Sequence, residues 1–124
     1  MSKKIVVIDD DRITLTMLEM VFSRHGFQVF SAQDGAEGYE LAQKEKPDIL
    51  ISDMLLPKIH GTELCKKIKE TPELKQTKVI LMTAVYKGPS FRFEARDCGA
   101  DDFIEKPLDM KDLLSRIDKF LKKE

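Results

Sequence analysis

The chain has 124 residues, with 21 Lys and Arg against 22 Asp and Glu, so its formal net charge at pH 7 is −1. This balance gives no indication of nucleic acid or an anionic membrane as a partner. The basic start is followed by an apolar run too short for a secretory signal or a membrane helix. We therefore expect a cytoplasmic chain, folded as one domain over residues 1–124 with no output domain visible.

Five short apolar runs rich in β-branched residues predict strands. They cover residues 4–8, 27–30, 48–51, 78–82 and 102–104. Between them, apolar residues three and four positions apart predict helices, as in Ile13, Met17 and Val21. Because most of these strands are apolar without alternation, both faces of the sheet should be covered. The chain is thus predicted to be an α/β protein of the (βα)5 type, with helices on both faces of a parallel sheet.

Local signals support the predicted helix boundaries. Asp11, Asp34 and Asp109 stand where helices should begin and can cap them, while Gly26 and Gly99 can end them. A separate pair, Cys65 and Cys98, falls within predicted helices without metal-ligand spacing. We interpret these two cysteines as buried free thiols.

Chemically useful side chains follow four of the five strands. The first is followed by Asp9, Asp10 and Asp11, the third by Asp53, the fourth by Thr83 and the fifth by Lys106. In a parallel sheet all carboxyl ends meet at one edge. In the flavodoxin-like strand order 2-1-3-4-5, the crevice at this edge opens between strands one and three, with Asp10 and Asp53 on its two sides.

Clustered carboxylates repel one another unless a cation lies between them, and Mg²⁺ prefers oxygen ligands of this kind. Lys106 adds a positive charge and Thr83 a hydroxyl donor, so the set suits a phosphoryl group. Each residue alone has an ordinary explanation: Asp11 as a helix cap, Thr83 as a strand former and Lys106 as part of a turn. Their combination at ordered strand ends favours a site. No Gly-rich phosphate loop is present, so a bound nucleotide is not the expected phosphate source.

Four motifs carry a resemblance to a known family. They are VIDDD, DMLLPKIHG, MTA and GADDFIEKP. With them the chain resembles the receiver domain of two-component response regulators, the family of the bacterial chemotaxis response regulator, over essentially its full length. The resemblance implies a signalling module that accepts a phosphoryl group, rather than a metabolic enzyme; any chemistry would be its own phosphorylation and dephosphorylation.

The resemblance also implies roles for the residues at the strand ends. Asp53 would be the phosphoacceptor and, with Asp10, a direct ligand of Mg²⁺. Asp9 would act on the metal through water, and the backbone carbonyl of Leu55 would complete the protein ligands. Thr83 would bond a phosphoryl oxygen.

Further implications concern signalling. Lys106 would pair with the phosphoryl group, and the peptide bond from Lys106 to Pro107 would be cis, as is common in the family. Thr83 would move toward the phosphoryl group while Phe103 on the fifth strand turns inward behind it. The alternative is that Phe103 is a static core residue. The surface read by partners would comprise the fourth helix, the fifth strand and the fifth helix.

The implied donors are a sensor histidine kinase, a phosphotransfer protein or a small molecule such as acetyl phosphate. The implied receivers of the signal are a protein target or a fused output domain, with the chain a monomer or a phosphorylation-dependent dimer. Two rivals remain. One is a receiver-like interaction module that works without phosphorylation. The other is a Mg²⁺-dependent phosphohydrolase with Asp53 as nucleophile, which commonly has an Asp where this chain has Leu55.

The sequence departs from the family in two places. The stretch 83–106 is one residue longer than usual, and Gly88 and Pro89 should delay the fourth helix, so the role of segment 85–93 stays open. Phe93 either packs on a neighbouring loop or is an exposed anchor for a partner. Leu55 and Val85 border the position of the hydrolytic water in the family. Apolar groups there cannot orient that water, which predicts slow self-dephosphorylation.

Overall fold

The computed structural model describes residues 3–83 and 98–121 of the chain. Five parallel strands form one sheet in the order β2-β1-β3-β4-β5. The strands are β1 (Lys4–Ile8), β2 (Gln28–Ala32), β3 (Ile49–Asp53), β4 (Lys78–Thr83) and β5 (Asp102–Glu105). The predicted fold class and strand order are therefore confirmed.

The helices lie between and after these strands. They are α1 (Arg12–Arg24), α2 (Gly35–Glu45), α3 (Gly61–Glu70), a short 3₁₀ helix (Pro72–Leu74) and a last helix (Met110–Leu121). The predicted fourth helix, with Val85 and Phe93, lies outside the described residues. Among the helices that are described, none has the length and apolarity needed to cross a membrane.

Both faces of the sheet are buried. Val6 and Ile8 of β1 point into a core shared with α2 and α3, whereas Ile5 and Val7 point into a second core shared with α1 and the last helix. Successive side chains of a strand point to opposite faces, so a strand covered on both sides is apolar throughout. This arrangement explains the lack of alternation in the sequence.

The predicted helix caps are formed. The Asp11 carboxylate accepts a backbone N–H from the first turn of α1 at 3.0 Å, Asp34 does so for α2 at 2.8 Å, and Asp109 for the last helix at 3.0 Å. Gly26, just after α1, and Gly99 have φ of +88° and +89°. Glycine tolerates this left-handed conformation, and at Gly26 it ends the helical path of α1.

Helix α1 is apolar on two sides. Its buried side consists of Leu15, Leu18 and Phe22. The other side remains in solvent, with Ile13 80%, Met17 38% and Met20 51% exposed. The apolar spacing that predicts this helix therefore follows its exposed side, and large apolar side chains left in solvent indicate an interaction surface.

The two cysteines are free and buried. Cys65 lies on α3 and donates its S–H to the carbonyl oxygen of Cys98 at 3.5 Å. Contact with the Cys98 thiol, together with burial, raises the pKa of Cys65, so this thiol stays protonated. Cys98 lies in a turn with Gly99 and not within a helix, which corrects the sequence-based assignment at this residue.

Candidate functional site

The carboxyl edge of the sheet gathers three aspartates. Asp9 follows β1 directly and Asp53 is the last residue of the neighbouring β3. Asp9 is fully buried, Asp53 is 9% exposed and Asp10 is exposed. One carboxylate oxygen of each lies within 4.8 Å of the others. The structure therefore brings together the three residues that the strand ends predict.

Lys106, from the turn after β5, reaches into this cluster. Its Nζ donates to Asp9 Oδ2 at 2.8 Å and lies 3.2 Å from Asp53 Oδ2. Within the described part of the chain, Lys106 thus contacts two of the three clustered carboxylates, those of Asp9 and Asp53. The pocket keeps an excess of negative charge, as expected of a site that binds a cation.

Burial and charge act against each other on these groups. Burial raises the pKa of Asp9, although Lys106 and the backbone N–H of Asp11, at 2.9 Å, favour its ionised form. For Lys106, burial lowers the pKa, but the carboxylates of Asp9 and Asp53 outweigh it, and the pKa is raised overall. Lys106 therefore remains a cation across the physiological range.

Thr83 and Lys106 are held next to each other at the end of the last two strands. Thr83 ends β4 and is buried, and its carbonyl oxygen accepts the backbone N–H of Lys106 at 2.7 Å. The peptide bond between Lys106 and Pro107 is cis, as the resemblance implies. Thr83 also follows Met82, the register partner of Asp53, so it lies on the same edge as the aspartates.

Phe103 lies half-buried on β5, behind this edge. Its ring packs against the core formed with α2 and α3. Its backbone N–H donates to the Asp102 carboxylate at 2.8 Å, and its carbonyl accepts from Arg116 at 3.1 Å. The backbone of Phe103 is therefore fixed, while its ring is partly exposed.

The loop that leaves Asp53 is shaped by Gly61. The N–H of Gly61 donates to the carbonyl oxygen of Met54 at 3.0 Å, and a Cβ at this position would overlap the carbonyl oxygen of Asp53. Leu55, on this loop, donates its N–H to Asp53 Oδ1 at 3.3 Å. Such close backbone approach at Gly61 requires the absence of a side chain.

The donor set fits a hard divalent cation. Asp9, Asp10 and Asp53 offer only oxygen, two of them from buried positions, and Mg²⁺ takes such ligands together with water and phosphate oxygens. These three residues are the ones that would hold the ion. Liganding by the Leu55 carbonyl stays a prediction.

One contact beside the site could not be predicted from the sequence. At the first turn of α2, Gly35 donates its N–H to the carbonyl oxygen of Pro57 at 3.3 Å, and Asp34 pairs with Lys58 at 3.4 Å. The sequence signal at this contact is the glycine at position 35. A glycine marks a close approach of backbone but does not identify the partner.

A parallel (βα) sheet with a carboxylate pocket and a lysine at its carboxyl edge defines a class of phosphoryl-binding signalling domains. Residues 5–118 match the family model of the response regulator receiver domain, and the chain belongs to this family. Receiver domains act in phosphorylation-based, two-component signalling and are not metabolic enzymes.

Known proteins agree with this assignment. The chain is 33% identical over 124 residues to the alkaline phosphatase synthesis regulatory protein PhoP of Bacillus subtilis, and 33% identical over 123 residues to the response regulator MprA of Mycobacterium ulcerans. These alignments cover 99% of the chain but 50% and 52% of the relatives. The chain therefore spans about half the length of the curated relatives it matches.

Solved structures show the same fold. The chemotaxis response regulator CheY4 of Vibrio cholerae matches with a TM-score of 0.89 and 26% identity, covering 97% of this chain and 99% of CheY4. The receiver domain of a signal transduction histidine kinase from Syntrophus aciditrophicus matches with a TM-score of 0.90 and 30% identity, covering 98% of this chain and 92% of that one.

Proposed function

We propose that the chain is a single receiver domain over residues 1–124 that accepts a phosphoryl group on Asp53. The observation that carries this proposal is the position of Asp53 at the end of β3. It is nearly buried, 3.2 Å from Lys106 and grouped with Asp9 and Asp10. A carboxylate that faces a fixed cation and a candidate metal site is suited to phosphoryl transfer, which depends on positioning and charge stabilisation.

In the proposed reaction, a carboxylate oxygen of Asp53 attacks the phosphorus of a phosphohistidine or of acetyl phosphate. The P–N or P–O bond to the donor breaks, its electron pair leaves with the imidazole or the acetate, and Asp53 becomes an acyl phosphate. When bound, Mg²⁺ would neutralise charge on the phosphoryl oxygens. Lys106 already contacts Asp53 and would pair with the added phosphoryl charge.

The remaining residues receive their roles by the same reasoning. Asp10 and Asp53 would bind Mg²⁺ directly, Asp9 would bind it through water, and the Leu55 carbonyl would be the fourth protein ligand. The hydroxyl of Thr83 would donate to a phosphoryl oxygen. Because Asp9 is buried and bonded to Lys106, it is better placed to orient the ammonium and a water than to contact the phosphoryl group itself.

The signal would be read on the side of β5 and the last helix. Thr83 and Phe103 would form the switch, with Thr83 moving toward the phosphoryl group and the half-buried ring of Phe103 turning inward. Lys106, bonded through its backbone to Thr83, would link this movement to the phosphorylated site. A downstream protein or a fused output domain would bind here.

The donor protein would dock on the exposed side of α1. This side begins beside the aspartates, and Ile13, Met17 and Met20 line an apolar groove of about 450 Å³ flanked by Arg12 and Arg24. We therefore expect a histidine kinase or phosphotransfer protein with an apolar helical surface bordered by acidic residues. Met17→Glu should slow transfer from such a protein while leaving phosphorylation by acetyl phosphate unchanged.

The test is incubation with acetyl phosphate and Mg²⁺, followed by measurement of the intact mass. We expect a phosphoryl-sized gain in wild type that requires Mg²⁺ and is absent in Asp53→Asn. A folded wild-type protein that gains no mass from acetyl phosphate or from a histidine kinase would overturn the proposal. It would favour an interaction module that works without phosphorylation.

The apolar residue beside the phosphorylation site predicts a long-lived acyl phosphate. Leu55 is 46% exposed two residues beyond Asp53, where it cannot orient a water molecule by hydrogen bonding. Leu55→Asn should therefore speed the loss of the phosphoryl group, as followed by intact mass after removal of the donor. A wild-type lifetime of mere seconds would contradict this prediction. The second apolar residue invoked, Val85, lies outside the described residues.

A further inference from the structure

The loop between β3 and α3 contains a tight, strained turn. The N–H of Ile59 donates to the carbonyl oxygen of Pro57 at 2.8 Å, which closes a turn of three residues. Lys58, at its centre, has φ of +69°. Such a turn is uncommon for a residue with a side chain, and it persists only where the surroundings hold it in place.

The surroundings are supplied by the start of α2. The backbone N–H of Gly35 donates to the carbonyl oxygen of Pro57 at 3.3 Å. A Cβ built on Gly35 would overlap the carbonyl oxygen of Ile59 and lie 2.7 Å from the Ile59 Cβ. Backbone therefore meets backbone at this contact, and only glycine fits it.

The other end of the same loop carries the phosphorylation site. Met54 donates its N–H to the carbonyl oxygen of Met82 at 2.9 Å, which holds the first loop residue to β4. Leu56 is buried in the core, and Leu55 between them donates its N–H to Asp53 Oδ1. The path of the backbone at Leu55 is thus set by β4 on one side and by the α2 contact on the other.

We propose that Gly35 is a positioning residue for the phosphorylation site. It acts through the backbone of residues 57–59, which it holds in the conformation that fixes Leu55 beside Asp53. The inference rests on the proposed function, because the consequence is drawn for the Mg²⁺ site that includes Asp53 and the Leu55 carbonyl. The atoms nearest to a Cβ at Gly35 all belong to Ile59, so Gly35 would act on the metal site only through the loop.

The ion pair at the same contact has a smaller role. Lys58 Nζ lies 3.4 Å from Asp34 Oδ2, but the Lys58 side chain is 67% exposed. Exposed pairs of this kind contribute little, since water and salt screen them. The backbone contact at Gly35, rather than the charge of Lys58, should therefore control the loop.

The experiment compares Gly35→Ala with Gly38→Ala in the full chain. Both positions lie in α2, and both changes add one methyl group to a helix. At Gly38 the new Cβ would meet the end of the Ile8 side chain instead of loop backbone. Mg²⁺ binding is measured by titration calorimetry, and hydrogen exchange of residues 54–61 is measured on the metal-free protein.

We expect Gly35→Ala to weaken Mg²⁺ binding about tenfold, the scale typical of lost support around a metal site. Hydrogen exchange should also become faster in residues 54–61. Gly38→Ala should leave both quantities close to those of wild type at equal folded fraction. A folded Gly35→Ala protein with wild-type affinity and exchange would overturn the inference.

If Gly35→Ala does not fold, a second pair of variants at Asp34 tests the same inference. Asp34→Ala removes the cap of α2 and loosens its first turn, whereas Asp34→Asn keeps an oxygen that can accept the Glu37 N–H. Weaker Mg²⁺ binding and faster loop exchange in the Ala variant alone would support the inference; equal behaviour of the two would overturn it. A wild type that does not bind Mg²⁺ would refute the proposed metal site, and loop exchange would still decide the role of Gly35.

Discussion

The two edges of the sheet use aspartate in opposite ways. At the amino edge, Asp48 accepts the backbone N–H of Lys4 at 2.9 Å. On the same edge, Asp101 accepts the N–H of Val79 at 2.8 Å and the ammonium of Lys69 at 2.7 Å. Each carboxylate has a hydrogen-bond donor of its own, and Asp101 also has a cation, so the two carboxylates fasten the strands and α3 together.

At the carboxyl edge the charges are not matched. Asp9, Asp10 and Asp53 lie together, and within the described residues a single ammonium group, that of Lys106, contacts Asp9 and Asp53. Sites of this kind reduce stability for the sake of binding, because the repulsion is relieved only when a ligand arrives. The same residue type on the same sheet thus fastens strands at one edge and, under the proposed function, binds metal and phosphoryl group at the other.

The largest expected effect comes from removing the shared cation. Lys106→Met should lower the free energy of unfolding by about 3 kcal/mol at pH 7 without metal, because it leaves buried carboxylates unpaired. Urea unfolding in the presence of EDTA measures this. Lys66→Met, which removes an exposed lysine of α3, is the control and should change stability by less than about 0.5 kcal/mol.

The loss of stability caused by Lys106→Met should depend on pH in a defined direction. Burial already raises the pKa of Asp9, and loss of Lys106 removes the main group that opposes this rise. The folded variant then binds a proton more readily than the unfolded chain, so its stability increases as pH falls from 7 toward the ordinary pKa of an aspartate. The difference in the free energy of unfolding between Lys106→Met and wild type should therefore decrease over this range. If the stability difference between variant and wild type did not change with pH, Asp9 would not be the group that takes up the proton.

Removing one aspartate from each edge should have a smaller effect, and the change in the free energy of unfolding should differ in sign between the two edges. Asp101→Ala leaves the Val79 N–H without this acceptor and should lower the free energy of unfolding by about 2 kcal/mol. Asp53→Ala relieves repulsion and should leave stability unchanged or raise it by up to about 1 kcal/mol without metal. Thermal and urea unfolding of the two variants measure the difference. Destabilisation of equal size in both would refute the contrast.

The sheet and its carboxyl edge were accessible from the sequence because both depend on local pattern. Strand β1 agrees with the predicted range at both ends, and the parallel order carries Asp9 and Asp53 to one edge without long-range information. Strand β3 extends past the predicted end, because Ser52 and Asp53 stay in register with β4 although the apolar run has stopped. A polar side chain ends a hydrophobic pattern but does not prevent backbone pairing.

Two features of the structure depended on information that the sequence does not carry. Helix α1 is apolar around most of its surface, so spacing alone could not tell the buried Leu18 from the exposed Met17. The contact of Gly35 with Ile59 joins segments distant in sequence, and it depends on the absence of a side chain. Packing of this kind leaves no pattern that a single sequence can reveal.

An effect smaller than the loss expected for Asp101→Ala is the stabilisation of the carboxyl edge by metal. If Mg²⁺ binds only the folded chain, a concentration ten times its Kd should raise the free energy of unfolding by about 1.4 kcal/mol. Asp10→Asn should abolish this increase, because it removes the exposed carboxylate of the proposed metal site without disturbing the core. Asp48→Asn, at the amino edge, should retain the increase in full.

Urea unfolding with and without MgCl₂, at constant ionic strength, measures this stabilisation. Constant ionic strength matters, since salt alone would screen the repulsion among Asp9, Asp10 and Asp53 and stabilise the edge without binding there. An equal increase in Asp10→Asn and wild type would mean that Mg²⁺ acts by screening or at another place. If only Asp10→Asn lost the Mg²⁺-dependent increase in stability, the excess negative charge of this edge would serve to bind the ion.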